Sequence, residues 1–256
     1  SADFYRRRVE LAVSSLIIDI DIGNTRVKWR VRDGSDVVAR GAQNTDTLID
    51  GAALQLDQVP RLYAARICSV ADVFVGQNIQ RQLHTRDDIE ARFARVSRRA
   101  GGVECGYSTV DALGTDRWLA MLAGFQRVAG ATLVVDAGSA LTLDIVNVEG
   151  RHLGGYIVAG QRLMCSALWR GTHAVKVAPT PIGNLLEPPT NTVDAVFNGG
   201  LLSATAMIEK IAREYCAAIV ITGGDSRLLA AHLSEPVLCV DDLVLEGLEV
   251  TGVAWQ

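Results

Sequence analysis

Two stretches of this chain read alike, and that likeness narrows the folds open to it. Ile17-Ile18-Asp19-Ile20-Asp21-Ile22-Gly23-Asn24-Thr25 leads into an apolar alternation through Val27, Trp29 and Val31. Val134-Val135-Asp136-Ala137-Gly138-Ser139-Ala140 leads into Leu141 to Val146. Each reads apolar strand, Asp-x-Gly, small polar residues, apolar strand, and the second follows the first by a little under half the chain. That period is too long for a solenoid. Asp-x-Gly is common at turns, so two unrelated hairpins would also give it. A duplicated domain fits it equally, each half offering a hairpin tip, and a cleft between two such lobes is a natural nucleotide site.

The rest of the chain reads as alternating strands and helices. The meander continues past Asp33-Gly34 to a strand around Val37-Val38. A helix is expected from about Thr45 to Leu56, a strand from Leu62 to Val70, a helix over 72–86 and a strand from Arg92 to Val96. Arg98 to Tyr107, with two adjacent glycines, reads as loop. From Asp116 the period turns helical, since Trp118, Leu122 and Phe125 share one face. After the second hairpin, glycines 154, 155 and 160 precede a helical stretch, and Pro179 to Pro189 reads as loop. A long helix is expected from Thr192 to Ala217, a strand from Ile219 to Ile221, and a helical C-terminus. The expected division is an extension over 1–14, a lobe over 15–115 and a lobe over 116–256.

Hydrophobic residues make up 49% of the 256, enough for a sizeable core, and the net charge of -4 lacks the basic footprint of a nucleic-acid binder. A single nucleotide needs no such excess, because backbone amides and a bound cation can hold phosphates. The arginines at 92, 95, 98 and 99 read as a solvated face or loop. Five scattered cysteines without a CxxC pair argue against a disulfide framework or a zinc site and for a reducing, cytoplasmic compartment. No apolar run approaches the length of a membrane span. Arg6-Arg7-Arg8 precedes an apolar stretch, but Glu10 interrupts it and no small-x-small cleavage site follows, so residues 1–14 read as a soluble extension.

Three motifs carry chemistry. In Asp21-Ile22-Gly23-Asn24-Thr25-Arg26-Val27-Lys28, glycine permits a tight turn whose amides form an anion nest, Thr25 adds a hydroxyl and Lys28 a charge. Asp21 at the strand end suits a hydrated Mg²⁺. In Asp136-Ala137-Gly138-Ser139-Ala140-Leu141-Thr142-Leu143-Asp144 a second nest is flanked by two carboxylates that could bind cations; the other reading of Asp144 is a residue on the solvent face of a strand. In Gly114-Thr115-Asp116-Arg117, a carboxylate at a helix start is favoured ionised and available as a base of ordinary pKa, and Arg117 is a fork suited to a substrate carboxylate. GxxxxGK[ST], GxGxxG and the protein-kinase signatures are absent.

In this order the motifs resemble those of the type III pantothenate kinases, over nearly the whole chain from Leu16 onward. Asp21 to Lys28 is similar to that family's first phosphate motif and Asp136 to Asp144 to its second. Tyr107 with Gly114-x-Asp116-Arg117 is similar to its pantothenate segment. Gly154-Gly155-x-Ile157, Asn191-Thr192-x-x-Ala195, Thr222-Gly223-Gly224 and Asp242 to Leu248 also have counterparts there. Ser139 stands for the usual threonine and Ala159 for the usual proline. The resemblance implies an α/β, actin-like (ribonuclease H-like) ATPase fold of two similar lobes, mixed sheets flanked by helices, working as a homodimer. It implies ATP- and Mg²⁺-dependent phosphorylation of pantothenate, the first step towards coenzyme A. Asp116 is then the general base, and Tyr107, Gly114, Thr115, Asp116, Arg117 and Thr192 line the pantothenate site, Thr192 across the dimer. Residues Asp21 to Lys28 and Ser139 contact ATP, and Asp136 helps hold a monovalent cation, K⁺ or NH₄⁺. The alternatives are another small-molecule kinase of this superfold or a non-catalytic accessory regulator.

Overall fold

The computed structural model describes residues 15–171 and 184–256. The chain forms two compact units, one closing at Arg95 and taking back Trp255 and Gln256, the other running from Val96 to Ala254. The extension 1–14 and the start of the Pro-rich loop, 179–183, lie outside the described residues.

The first unit opens with the expected antiparallel meander, β1 (Ile17–Ile22), β2 (Arg26–Asp33) and β3 (Asp36–Asn44). Then follow a short helix α1 (Thr45–Ile49), β4 (Ala64–Ser69) parallel to β1, helix α2 (Val73–Asp87), and β5 (Ala91–Arg95) parallel to β4. The sheet order is β3-β2-β1-β4-β5, with Ala254–Trp255 completing the edge beside β5. Period-2 alternation puts Ile18, Ile20 and Ile22 on one face, where they share a core with Leu48 of α1 and Val75, Ile79 and Leu83 of α2.

The opposite face of β1 carries Asp19, fully buried at 0% exposure. A buried carboxylate must be paired, and strand register supplies the partners. Arg30 on β2 and Arg66 on β4 stand directly opposite Asp19 on either side. Their Nε atoms donate to it at 3.2 and 2.7 Å, and Arg32 Nε donates at 3.1 Å.

The helix expected over 45–56 ends at Ile49. Gly51 takes a left-handed φ of 93°, which turns the chain out of the helix. Beyond it the backbone N–H groups of Leu54 and Gln55 donate to the side chains of Gln82 and Gln43 at 2.7 and 3.1 Å, an irregular path held by glutamines.

The second unit begins earlier than the 115/116 division expected from the sequence. The segment read as loop contains a small hairpin, β6 (Arg99–Ala100) and β7 (Val103–Glu104), turning through Gly101 and Gly102 at positive φ. Bonds from Gly101 N to Thr251 O and from Glu104 N to Gly150 O fasten it to this unit. Next come α3 (Thr115–Arg127), the strands β8 (Thr132–Ala137), β9 (Ala140–Val146) and β10 (His152–Ala159), and helices α4 (Gln161–Gly171) and α5 (Thr192–Glu214). The strand expected at Ile219 to Ile221 is β11 (Ala218–Thr222), and the C-terminus beyond it, expected helical, is mixed: α6 (Ser226–Ala230), β12 (Val237–Cys239), α7 (Leu243–Gly247) and β13 (Ala254–Trp255). Its helices span five residues each.

The sheet order is β10-β9-β8-β11-β12, with β8–β9–β10 antiparallel and β8, β11 and β12 parallel. This matches the first unit strand for strand, a hairpin-led meander on one side and parallel strands on the other. The two Asp-x-Gly turns therefore occupy equivalent positions, joining the first two strands of each sheet. Trp118 and Leu122 of α3 are fully buried as their spacing predicts. Helix α7 approaches α3 closely because Gly247 has no side chain; a Cβ there would collide with the backbone of Leu119.

Replacing Asp19 by Asn should destabilise the protein by about 3–5 kcal/mol, because it leaves three largely buried guanidiniums without their counter-charge. Urea unfolding of the two chains measures this directly, and a loss under about 1 kcal/mol would show that the arginines find other partners.

Candidate active site

The first turn, Gly23 to Thr25, is closed by Gly23 N donating to Arg26 O at 3.0 Å. Thr45 at the start of α1 braces it, its N–H donating to Thr25 O at 3.1 Å and its hydroxyl to Gly23 O at 2.7 Å. Asn24, Thr25 and Arg26 are exposed at the tip, and Asp21 and Lys28 are half-buried partners across the hairpin. Ile22 and Val27 are fully buried in the core, so only their backbones can serve a ligand.

The second turn is built the same way. Gly138 N donates to Ala140 O at 3.0 Å, and Gly160 N reaches across to Ser139 O at 2.9 Å. That second bond holds the turn in which Ala159 stands for proline. Ser139 is exposed, and Asp136 ends β8 in register with Thr222 of β11. Gly223, at φ 94°, leaves space beside the Asp136 carboxylate; a Cβ there would lie 2.5 Å from Oδ1. Beside this turn lies a cavity of about 210 Å³, lined by Gly138, Gly160, Met164, Ser203, Met207 and Asp225 among others.

Asp116 and Arg117 open helix α3, with Gly114 as its N-cap. Asp116 Oδ1 accepts the Arg117 backbone N–H at 2.7 Å. Burial raises the Asp116 pKa above the usual aspartate range, outweighing the lowering by the Arg117 amide and the Arg117 charge. The helix start therefore does not leave this carboxylate at its ordinary acidity, as the sequence reading expected; desolvation wins.

Arg117 is buried, and its fork is already engaged. Nε and Nη2 donate to Asp144 Oδ2 and Oδ1 at 2.9 and 2.6 Å, a bidentate pair. Nη1 donates to the Tyr107 hydroxyl at 3.1 Å, and Cζ lies 5.8 Å from the Tyr107 ring centroid. Burial opposes the guanidinium charge, but the hydrogen bonds and attraction of Asp144 more than offset it and keep Arg117 firmly protonated.

Asp144 is thus neither on a solvent face nor open to a cation. It is 1% exposed, and its Oδ1 also faces His152 Nε2 at 3.1 Å. His152 in turn stacks on Tyr107, centroids 5.7 Å apart and planes 13° apart. Gly155, opposite Asp144 on β10, makes room for the pair, since a Cβ there would collide with Asp144 Oδ1 and lie 2.8 Å from Arg117 Nη2.

The structure thus brings Tyr107, Gly114, Asp116 and Arg117 together and adds Asp144, His152 and Arg98, which the motif reading did not place there. Arg98 is not simply solvated: it donates to the carbonyls of Cys105, Tyr107 and Ser108 at 2.9, 2.8 and 3.1 Å, pinning the segment that presents Tyr107. Thr192 stands elsewhere, exposed at the start of α5 and lining an open groove with Met164, Leu168, Pro189, Asn191 and Ser203.

Comparison with known proteins shows the family and the fold. The sequence model of the type III pantothenate kinase family matches residues 17–214. A type III pantothenate kinase of Chromohalobacter salexigens is 40% identical, over 91% of this chain and 86% of that one. Another from Leptothrix cholodnii is 34% identical over 90% and 93%. Among solved structures, a conserved Baf family protein of Campylobacter jejuni superposes with a TM-score of 0.58 at 19% identity, covering 91% and 95% of the two chains. MreB 5 of Spiroplasma citri superposes at 0.50 and 10% identity, covering 92% and 95%. These two share the actin-like α/β fold. The chain belongs to the type III pantothenate kinase family, whose members transfer a phosphoryl group from ATP to pantothenate in coenzyme A biosynthesis.

Proposed function

We propose that Asp116 is the general base of this reaction and takes the proton of the pantothenate hydroxyl as the phosphoryl group arrives. The observation that carries the reading is the cluster itself: a carboxylate of raised pKa on a helix start, adjoining an arginine and a tyrosine that suit a carboxylate substrate. Phosphoryl transfer depends on positioning and charge neutralisation more than on a strong base, and burial makes Asp116 a better proton acceptor than an exposed aspartate. Arg117 and Tyr107 would receive the pantothenate carboxylate, with Gly114 and Thr115 shaping that end of the pocket.

The turns Asp21–Lys28 and Gly138–Ser139 would hold the ATP phosphates, mainly through amides, the Thr25 and Ser139 hydroxyls and Lys28. The cavity beside Gly138 would take the nucleoside. Among the described residues no group of three or more His, Cys, Asp or Glu side chains is placed to hold a metal ion. The carboxylates of Asp21 and Asp136 suit ions that complete their shells with water and phosphate oxygens. Asp21 would hold Mg²⁺ and Asp136 a monovalent cation, K⁺ or NH₄⁺. When bound, these ions offset phosphate charge.

A homodimer completes the reading. The edge strand β10 exposes Leu153, Tyr156, Ile157 and Val158, and α4 adds Leu163 and Leu168, with Ile157 60% exposed. An apolar face of this kind on an edge strand favours burial against another copy, and Thr192 would then reach the partner's pantothenate site. All five cysteines are free thiols, which suits the cytoplasm, and no helix among the described residues is long and apolar enough to cross a membrane.

Asp116→Asn should lower kcat roughly 10²–10⁴-fold, and near-normal turnover would remove the assignment. The raised pKa also sets the pH behaviour. The acid limb of kcat/KM should lie above the ordinary aspartate range, and because the folded chain holds this proton more tightly than the unfolded one, Asp116→Asn should stabilise the protein at neutral pH, by less as the solution is acidified. ADP release with ATP, Mg²⁺ and pantothenate should require K⁺ or NH₄⁺ over Na⁺, a preference that Asp136→Asn abolishes. Finally, Ile157→Glu combined with Leu163→Glu should sediment as a monomer in analytical ultracentrifugation; an unchanged dimer would place the interface elsewhere.

A further inference from the structure

We propose that His152 is a positioning residue for the pantothenate site, acting through Asp144 on Arg117. This rests on the reading above that Arg117 meets the substrate.

The first argument is strand parity. Asp144 and Val146 of β9 point to the same face, two residues apart. Their register partners on β10 are Gly155 and His152, three residues apart. An odd separation cannot keep one face on a regular strand. It is possible here because a β-bulge interrupts the register between His152 and Gly154. The extra residue re-aims His152 onto the Asp144 face, and Gly154 absorbs the distortion at φ 119°.

The second argument is hydrogen bonding. His152 is 1% exposed; its Nε2 faces Asp144 Oδ1, and its Nδ1 is buried without a hydrogen-bond partner. A proton on Nδ1 would be a stranded donor, so the arrangement selects the tautomer in which Nε2–H donates to Asp144. Asp144 then receives three donors, Arg117 Nε, Arg117 Nη2 and His152 Nε2. Its carboxylate cannot rotate without breaking all three. That fixes the guanidinium plane, and the Nη1 edge is the part left to face Tyr107 and the substrate. The His152–Tyr107 stack fixes the second wall from the same residue.

The test is the Michaelis constant for pantothenate measured alongside that for ATP. His152→Leu keeps the volume and removes the donor. It should raise the pantothenate KM roughly 10- to 100-fold, the scale of a charge-assisted hydrogen bond, with the ATP KM within about twofold. His152→Gln, whose amide can still donate to Asp144, should recover most of the loss. A folded His152→Leu enzyme with an unchanged pantothenate KM overturns the proposal, provided Arg117→Gln raises it. If Arg117→Gln itself left that KM unchanged, the reading of Arg117 would fall and the role of His152 with it. Should His152→Leu not fold, Gly154→Ala decides. Its Cβ meets nothing within 4 Å, so it strains only the bulge backbone. A raised pantothenate KM supports the positioning role, and an unchanged one overturns it.

Discussion

The bidentate pair of Arg117 with Asp144 is the contact on which the second unit's buried polar cluster depends. It joins the first turn of α3 to the strand that follows the second Asp-x-Gly turn. Neither partner could sit where it does alone. A buried guanidinium or carboxylate without its counterpart carries a desolvation cost of several kcal/mol. Together they satisfy one another, and the surrounding elements conform to them. Gly155 gives up its side chain for clearance, β10 accepts a bulge, and the start of α3 is drawn against the sheet so that Asp116 loses much of its water. The raised pKa of Asp116, set by this burial, thus follows from how its neighbour is anchored.

The first unit solves a similar problem without chemistry. Asp19 lies on the strand equivalent to β8, and three arginines converge on it through strand register. In both units a single buried carboxylate organises the polar face of a sheet. In one it is held by three arginines; in the other it is shared between an arginine and a histidine. The duplicated scaffold thus carries equivalent turns with different polar cores.

Much of this was legible in the sequence, for physical reasons that can be named. The Asp-x-Gly turns announce themselves because strand alternation resumes on both sides, so their place at matching positions in two similar sheets could be expected. Helix α3 was visible in the spacing of Trp118, Leu122 and Phe125. The partners of Asp144 are not legible, because one is 27 residues earlier on a helix and the other eight later, just before a bulge. A bulge inverts the face on which every preceding residue lies, and no periodicity survives it. The sequence signal that could have found it is Gly154-Gly155 following a histidine within a strand-like run. The overlong helix after Thr45 failed for a related reason: glutamine side chains from elsewhere in the unit satisfy the backbone of Leu54 and Gln55, and propensity does not report such bonds.

The return of Trp255 and Gln256 to the first unit bears on how the molecule is made. Gln256 exchanges backbone hydrogen bonds with Phe93 in both directions, at 2.8 and 3.3 Å, and Trp255 lies under the Arg92 guanidinium, 4.9 Å from the ring centroid. Until those residues leave the ribosome, the first unit has an open sheet edge at β5 while the whole second unit is synthesised. During that interval the nascent edge is exposed to pairing with any other extended chain. A strand laid down after the second unit closes the sheet edge at β5, so one lobe waits through the translation of the other before that edge is paired.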